Sequence, residues 1–350
     1  EENNASPDPD LVDGDNNDAN ADGMGSVLDR EVAFQTGAEV ETTHGAIEGK
    51  EEGDLRVFKG IPYAKPPVGE RRFRRPESAE PWDGVFSADD FGASCMQNPA
   101  IFGEPGEDCL SLNIWAHGDK TERPIMVWIY GGGFVVGETA MGLYDGADLA
   151  DDADVVVVTL NYRLGLFGNL ALPELAEEDP QGSMGNMGVL DQIEALRWVK
   201  ANARAFGGDP DNITVFGESA GAISTCALMG LPLADDLFQK AIVQSGNCSL
   251  FGVPGQAHLV PDPVAYGQDT AGELGCEDPE TRLACLRELP AEDVQEAISS
   301  LALFSLLAAG CDSDDASSDR TLYIAGIPDQ DTSLLVRRFD GLAEYLGERL

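Results

Sequence analysis

The sequence alternates between apolar β-branched runs and helical stretches, and this alternation constrains the fold more than any other feature. Four runs are almost wholly apolar, as expected of strands buried on both faces: 125–130, 155–160, 213–216 and 241–244. Between the second and third runs, Gly188 to Ala205 carries apolar residues at helical spacing. This order predicts an α/β fold, in which a parallel sheet has helices on both sides.

Charge and composition exclude several classes of protein. The 350 residues include 63 Asp and Glu but only 22 Lys and Arg, so the net charge is −41. With 43% hydrophobic residues the chain can form a core, which excludes a wholly disordered protein. Because nucleic acid would be repelled, we expect no unaided binding to it. We also expect no transmembrane helix, since no apolar run reaches about 20 residues.

The composition divides the chain into three regions. Residues 1–32 are rich in Asp, Asn, Glu and Gly, and they predict a disordered acidic leader. A start without Met or an apolar signal core is compatible with a removed export signal. Residues 33–298 carry the α/β pattern. Residues 299–350 depart from it, with an apolar run (301–310) that ends at Cys311 and an acidic, Ser-rich tract. That run fits either a lipoprotein signal with its lipobox or a short buried helix before a surface loop.

The sequence Gly217-Glu218-Ser219-Ala220-Gly221 lies directly between the run 213–216 and a helical stretch. This is the G-x-S-x-G pattern in its strand-turn-helix context, which predicts that Ser219 is an exposed nucleophile on a strained turn. The amide of Ala220 and the start of the helix would face developing negative charge.

Three consecutive glycines, Gly131 to Gly133, follow the run that ends at Tyr130. Their backbone amides are unshielded, which suits an oxyanion hole of the HGGG type, although Tyr130 replaces the His of that motif. A flexible glycine turn is the alternative interpretation. The position after a buried strand and upstream of Ser219 favours the oxyanion hole.

Several long segments resemble the type-B carboxylesterase and cholinesterase family. They are FKGIPYAKPPVGERRFRRPE (58–77), PWDG (81–84), GEDCLSLNIW (106–115), PIMVWIYGGGF (124–134), VTLNYRLGLFG (158–168) and GNMGVLDQIEALRWVKANARAFGGDPDNITVFGESAGA (185–222). The resemblance covers about residues 34 to 298. It implies an α/β-hydrolase fold and hydrolysis of a small carboxylic ester through an acyl-enzyme.

The resemblance also implies roles for individual residues. Ser219 would be the nucleophile, Gly132, Gly133 and Ala220 would supply the oxyanion donors, and Glu218 would be the acidic neighbour of the nucleophile. We expect neither a metal nor a cofactor, because no His/Cys cluster has ligand spacing and no Gly-rich phosphate loop occurs.

The resemblance implies two disulfides, Cys95–Cys109 and Cys276–Cys285. Disulfides indicate an oxidising compartment, so we expect a secreted, periplasmic or cell-surface protein. Free thiols in a cytosolic relative are the alternative. Cys226 and Cys248 are expected to be ordinary small core residues.

The base and the acid of a serine hydrolase are harder to find in this sequence. The chain has three histidines, and only His258 follows Ser219. It lies in a Gly/Pro-rich stretch, which favours a surface-loop histidine over a catalytic base. His44 and His117 precede Ser219, and we expect both to be exposed near turns. Asp331 occupies the place of the acid in a segment that resembles the G-x-x-x-D-E-G turn of the family.

A second resemblance competes for the segment around Asp331. Residues 319–350 are similar to the mature N-terminus of phosphonate-type ABC-transporter substrate-binding lipoproteins. We therefore expect a junction, where an esterase half without its later strands ends near Ser299 and the start of a binding lipoprotein follows. Such a truncation would expose the edge of the last esterase strand and leave only weak hydrolysis. The alternative is a non-catalytic binding protein, which would be either a fragment of such a lipoprotein or a cholinesterase-like adhesion protein.

Overall fold

Eight strands form one mixed sheet at the centre of the protein. The computed structural model describes residues 27–100, 104–246, 248, 263–299 and 322–325. The strands are β1 (Glu39–Glu41), β2 (Ala46–Glu48), β3 (Lys50–Glu52), β4 (Leu55–Pro62), β5 (Val85–Ser87), β6 (Ser111–His117), β7 (Arg123–Ile129), β8 (Val156–Leu160), β9 (Gly208–Glu218), β10 (Lys240–Gln244) and β11 (Leu322–Ala325). The α-helices are α1 (Ala147–Ala153), α2 (Gly165–Asn169), α3 (Pro173–Glu178), α4 (Met187–Asn202), α5 (Ala220–Gly230), α6 (Pro263–Glu273), α7 (Arg282–Glu288) and α8 (Ala291–Ser299).

The order of strands across the large sheet is β11-β10-β9-β7-β8-β6-β4-β3. Neighbours from β11 to β8 are parallel, whereas β6, β4 and β3 add antiparallel strands on the far side. Strands β1, β2 and β5 form a separate three-stranded sheet. The four runs predicted as strands are β7, β8, β9 and β10, and the predicted helix is α4, so the α/β class is confirmed.

Strands in the middle of the sheet are buried because other elements cover both of its faces. Every residue of the parallel strand β8 and of the antiparallel strand β6 is buried. Right-handed crossovers place α1 on one face and α4 and α5 on the other, since the chain moves outward from β7 to β8 and then back to β9 and β10. Buried Trp115, Trp198 and Phe216 belong to the resulting core.

The reversal of strand order creates a crevice between the ends of two strands. From β7 the chain crosses to β8 on one side, and from β8 it returns past β7 to β9. The loops that leave the carboxyl ends of β7 and β9 therefore diverge to opposite faces, and open α/β sheets bind their ligands at such a point. The loop after β7 carries the three glycines, and the loop after β9 carries Ser219.

The edge beyond β10 is not bare, and the expectation that it would be exposed is wrong. Strand β11 pairs with β10 in parallel, from Ala241 opposite Leu322 to Gln244 opposite Ala325. Strand β11 thus gives the backbone groups of β10 their partners. The acidic leader as far as residue 26, the apolar run 301–310 and residues 326–350 lie outside the described residues.

No helix within the described ranges has the length and apolar character needed to cross a lipid bilayer.

Candidate active site

Ser219 lies at the sharp turn between β9 and α5, in the conformation predicted for a nucleophile. Its φ is 54° and its ψ is −119°, a combination that costs free energy for any residue with a side chain. The Ser219 amide donates to the carbonyl of Gln244 at the end of β10 (2.9 Å), and the amide of Ile223 donates to the Ser219 carbonyl (3.0 Å). The surrounding elements therefore hold this backbone in place, and the side chain remains partly accessible.

The glycines beside Ser219 allow β9, α5 and β7 to approach closely. A Cβ on Gly217 would lie 2.4 Å from the carbonyl oxygen of Gly221. One on Gly221 would lie 2.0 Å from the carbonyl oxygen of Ile129, at the end of β7. No other residue fits at either position without moving backbone, which explains why the motif has glycine at both.

The glycine loop, defined here as residues 131–137, packs directly against the turn that carries Ser219. A Cβ on Gly131 would lie 3.0 Å from the Cβ of Ser219. Gly132 and Gly133 have φ values of 109° and 63°, so both adopt conformations that favour glycine. The loop turns back on itself, since the amides of Val135 and Val136 both donate to the carbonyl of Gly132 (3.1 Å each). The backbone of residues 131–133 thus lies beside the serine.

Two groups of opposite sign lie beside Ser219. Helix α5 begins at Ala220, so its partial positive end lies beside Ser219. Glu218 precedes the serine, and its Oε2 would lie 2.8 Å from a Cβ on Gly131. Burial, and then the Glu218 carboxylate, raise the pKa of Tyr144 to about 12. This tyrosine therefore stays neutral at the edge of the site, in contact with the ring of Trp128 at a centroid distance of 5.3 Å.

The expectation that His44 and His117 are exposed is wrong for both. His44 stacks between Trp82 and Trp198 and contacts Ser78 Oγ (3.2 Å), because distant parts of the chain fold over it. His117 ends the buried strand β6. Both lie at the amino edge of the parallel strands. His117 does so because β6 runs antiparallel to β8 and therefore ends where β8 begins. His44 does so because it adjoins the end of α4, and α4 precedes the start of β9. Neither can reach Ser219 at the carboxyl edge.

His258 and Asp331 lie outside the described residues. The strands that precede them are described, and they end at the same edge as β9. Gln244 of β10 pairs with Glu218 on one side and with Ala325 of β11 on the other. Strands β10 and β11 therefore end at the edge where Ser219 lies.

Three disulfides are present in the described residues. Cys95–Cys109 and Cys276–Cys285 are the two pairs that the family resemblance implied. The third, Cys226–Cys248, corrects the expectation that these two cysteines are ordinary core residues. Cys226 lies on α5, and Cys248 follows β10, which packs against that helix. The packing of β10 against α5 brings the two sulfur atoms together, and nothing in the sequence spacing of the two cysteines indicated this pairing.

One contact to the glycine loop was not predicted from the sequence. Gln97 is buried, and its amide nitrogen donates to the carbonyl of Gly137 (3.0 Å) while its amide oxygen accepts from the Gly137 amide (3.0 Å). The two residues are far apart along the chain, and a single Gln after Cys95 carries no pattern by which this contact could have been found.

A strand-turn-helix serine beside a glycine loop, at the strand-order reversal of a mixed sheet, defines the α/β-hydrolase class. A sequence model of the carboxylesterase family matches residues 36–335, and the chain belongs to this family. The match extends beyond residue 298, where the resemblance by motif ends. The assignment of residues 299–350 to a lipoprotein start stays a prediction.

Similar proteins with curated functions are esterases. The chain is 47% identical over 215 residues to para-nitrobenzyl esterase of Bacillus subtilis (strain 168), covering 59% of this chain and 43% of that protein. It is 46% identical over 211 residues to fumonisin B1 esterase of Sphingopyxis macrogoltabida, covering 58% and 39%. It is 37% identical over 292 residues to carboxylesterase 4A of Bos taurus, covering 76% and 50%. The chain thus spans half or less of these relatives.

Solved structures of esterases share the fold. A PNB esterase superposes with a TM-score of 0.68 at 42% sequence identity, over 76% of this chain and 54% of the other. A Geobacillus stearothermophilus carboxylesterase superposes with a TM-score of 0.68 at 45% identity, over 76% of this chain and 53% of the other. The α/β-hydrolase fold predicted from the sequence is confirmed.

Proposed function

We propose that this protein hydrolyses small carboxylic esters through an acyl-enzyme on Ser219. The Ser219 Oγ attacks the carbonyl carbon of the ester and loses its proton to a base. The alcohol leaves with a proton, and water then releases the acid and restores the hydroxyl. The amides of Gly132, Gly133 and Ala220 stabilise the negative oxygen of the tetrahedral intermediate.

The observation that carries this proposal is the strained backbone of Ser219 against the glycine loop. A serine with φ 54° and ψ −119° is costly, and it persists because the ends of β7, β10 and α5 surround it. Strain of this kind is typical of catalytic residues. Membership of the carboxylesterase family supports the same function and does not favour a non-catalytic binding protein.

His258 and Asp331 are the proposed base and acid within this chain. His44 and His117 lie at the opposite edge of the sheet, so His258 is the one other histidine in the sequence. The strands before His258 and Asp331 end in register with Glu218, which supports a common site at the carboxyl edge. This chain order places the histidine before the acid, unlike the usual order in α/β-hydrolases.

We also propose that the protein works in an oxidising compartment outside the cytosol. Three disulfides among the described residues support this location, since such bonds persist where thiols are not kept reduced.

A fluorophosphonate probe tests the nucleophile directly. Attack by Ser219 Oγ forms an oxygen–phosphorus bond, breaks the phosphorus–fluorine bond and releases fluoride and a proton. We expect the 350-residue chain to be labelled at Ser219 and the Ser219→Ala variant to remain unlabelled. The matched control is Ser224→Ala, on the same helix, whose buried hydroxyl contacts the Gln192 amide (3.0 Å). Labelling that survives Ser219→Ala, or its absence in the unsubstituted chain, would exclude the proposed nucleophile.

Turnover of a nitrophenyl ester tests the base and the acid. If His258 accepts the proton, His258→Ala lowers kcat by at least about 100-fold, since general base catalysis contributes about 10²–10⁴-fold. Asp331→Asn lowers it less, because the acid acts through the histidine. A kcat that His258→Ala leaves unchanged excludes His258 and points to a base outside this chain.

A further inference from the structure

The glycine loop depends on one side chain that the catalytic motifs do not include. Gln97 makes two hydrogen bonds to the backbone of a single residue, Gly137, at the far end of the loop. Gly137 is buried, so its amide and its carbonyl would lack these hydrogen-bond partners without the Gln97 side chain. An unpaired buried backbone group costs about 1–3 kcal/mol, so the Gln97 amide fixes the position of Gly137.

Gly137 in turn packs against the start of the loop. A Cβ on Gly137 would lie 2.7 Å from the carbonyl oxygen of Gly131 and 2.5 Å from Cδ2 of Tyr130, so only a glycine fits. The backbone of Gly137 therefore lies directly on the Gly131 carbonyl. If Gly137 moves, the space between it and the Gly131 carbonyl becomes larger or smaller.

The Gly131 carbonyl belongs to the same planar peptide group as the Gly132 amide. Because the group is rigid, a tilt of the carbonyl turns the N–H at the opposite side by the same angle. That N–H is one of the proposed oxyanion donors. A shift of Gly137 would thus be passed to the Gly132 amide through this peptide group, although Gln97 itself does not touch the reacting atoms.

Gln97 is itself held in place by covalent structure. Its amide nitrogen also donates to the carbonyl of Cys95 (3.1 Å), and Cys95 is bonded to Cys109 just before β6 begins. The amide of Gly106 donates to the Ser94 carbonyl (2.9 Å), which adds a backbone link between the same two segments. The Gln97 side chain is therefore fixed with respect to the central sheet.

We propose that Gln97 is a positioning residue for the oxyanion hole, which it orients through Gly137 and the Gly131–Gly132 peptide. The inference rests on the proposed function of the glycine loop. It predicts that loss of the Gln97 amide slows the chemical step at Ser219 and leaves initial binding of the reagent unchanged, because oxyanion donors act in the transition state.

The experiment is saturation kinetics of fluorophosphonate labelling with the variant Gln97→Met, which keeps the length of the side chain and removes its hydrogen bonds to Gly137 and to Cys95. We expect the maximal labelling rate constant to fall by about 10- to 100-fold, in line with the cost of a misplaced reacting group. The reagent concentration at half-maximal rate and the final labelled fraction stay the same. A purely structural role would lower the labelled fraction through unfolding and leave the rate constant of the folded molecules unchanged.

The matched control is Asn202→Leu, a near-isosteric loss of another fully buried amide. Asn202 accepts from the Thr43 amide (2.8 Å) and donates to the Trp198 carbonyl (2.9 Å), at the edge of the sheet opposite Ser219. We expect this variant to be less stable to urea while its labelling rate constant is unchanged. An equal fall in the rate constants of both variants would overturn the positioning role.

Hydrogen–deuterium exchange separates this inference from the proposed function. Gln97→Met should speed amide exchange in peptides that cover residues 131–137, whether or not Ser219 reacts, and Asn202→Leu should not. Faster exchange in an unreactive chain supports the positioning of the loop and rejects the esterase chemistry. A Gln97→Met variant that labels at the rate of the unsubstituted chain, or whose loop exchange is unchanged, overturns the inference.

Discussion

The two edges of the parallel strands differ in what they leave exposed. The carboxyl edge holds a strained serine, the glycine loop and the start of α5. At the amino edge, Asp154 contacts Lys120 (2.7 Å), Arg123 and His117 (3.7 Å), and charged side chains meet one another there. The two ends of the same strands therefore differ, with a strained backbone turn at one end and paired charged side chains at the other.

Buried charge also distinguishes the edges. Arg163 and Asp191, on the carboxyl side, form a bidentate ion pair with side chains that are 3% and 0% exposed. Arg123 and Asp154, on the amino side, are 27% and 38% exposed. Water screens the second pair and cannot reach the first, so the two pairs should respond very differently to loss of one partner.

The largest expected effect is therefore that of Arg163→Met. It leaves the Asp191 carboxylate buried without its guanidinium partner, and we expect the free energy of unfolding to fall by about 3–5 kcal/mol. Urea denaturation measures this loss. The double variant Arg163→Met/Asp191→Leu should recover most of it, since it removes the buried charge.

The matched variant at the amino edge is Arg123→Met, for which we expect a loss of no more than about 1 kcal/mol. If the two arginine substitutions lower the free energy of unfolding by similar amounts, burial does not make the Arg163–Asp191 pair more important for stability. The contrast between the edges would then fail.

A smaller effect is expected from the third disulfide, which crosslinks α5 to the chain after β10. Cys226→Ala/Cys248→Ala opens a loop with a sequence separation of 22, so chain entropy predicts a loss of about 3 kcal/mol. Removal of Cys276–Cys285, with a separation of 9, should cost slightly less by the same relation. Urea denaturation of the two double variants gives both values.

Labelling of the two double variants tests whether either disulfide affects the carboxyl edge. If the Cys226–Cys248 bond also restricts motion of the turn at Ser219, fluorophosphonate labelling should slow only when that bond is removed. A larger loss of stability from the shorter loop would contradict the chain-entropy argument for both bonds.

The elements that position the site could be predicted because their signals are local. The runs that became β7 to β10, the helix α4 and the turn at Ser219 each lie within one continuous segment, where periodicity and glycine spacing determine the structure. The conformation of Ser219 follows from the same segment, since a strand must meet a helix there with almost no connecting chain.

The rest depends on contacts between segments that are distant along the chain. His44 was expected to be exposed near a turn, yet Trp82 and Trp198 cover it. Pairing of Cys226 with Cys248 required the packing of β10 on α5, and pairing of β11 with β10 crosses a long intervening segment. Periodicity describes one element at a time, so it contains no information on such pairings.

The last effect we expect is a pH dependence from His44 at the amino edge. Burial lowers the pKa of His44 to about 4, from an ordinary value of 6.5. The unfolded chain therefore takes up a proton as the pH falls through about 6.5, while the folded protein stays neutral at this residue until about pH 4. Stability from His44 is fully present above pH 6.5 and is lost progressively as the pH falls from 6.5 towards 4.

The measurement is the free energy of unfolding in urea between pH 4 and pH 7.5, for the unsubstituted chain and for His44→Gln. The variant keeps a polar group near Thr43 Oγ1 and Ser78 Oγ but cannot take up the proton. Carboxylates titrate in the same range in both proteins, so the difference between the two curves isolates the histidine. That difference should shrink as the pH falls below 6.5. Parallel curves would mean that His44 titrates alike in both states, and that this edge is open to water after all.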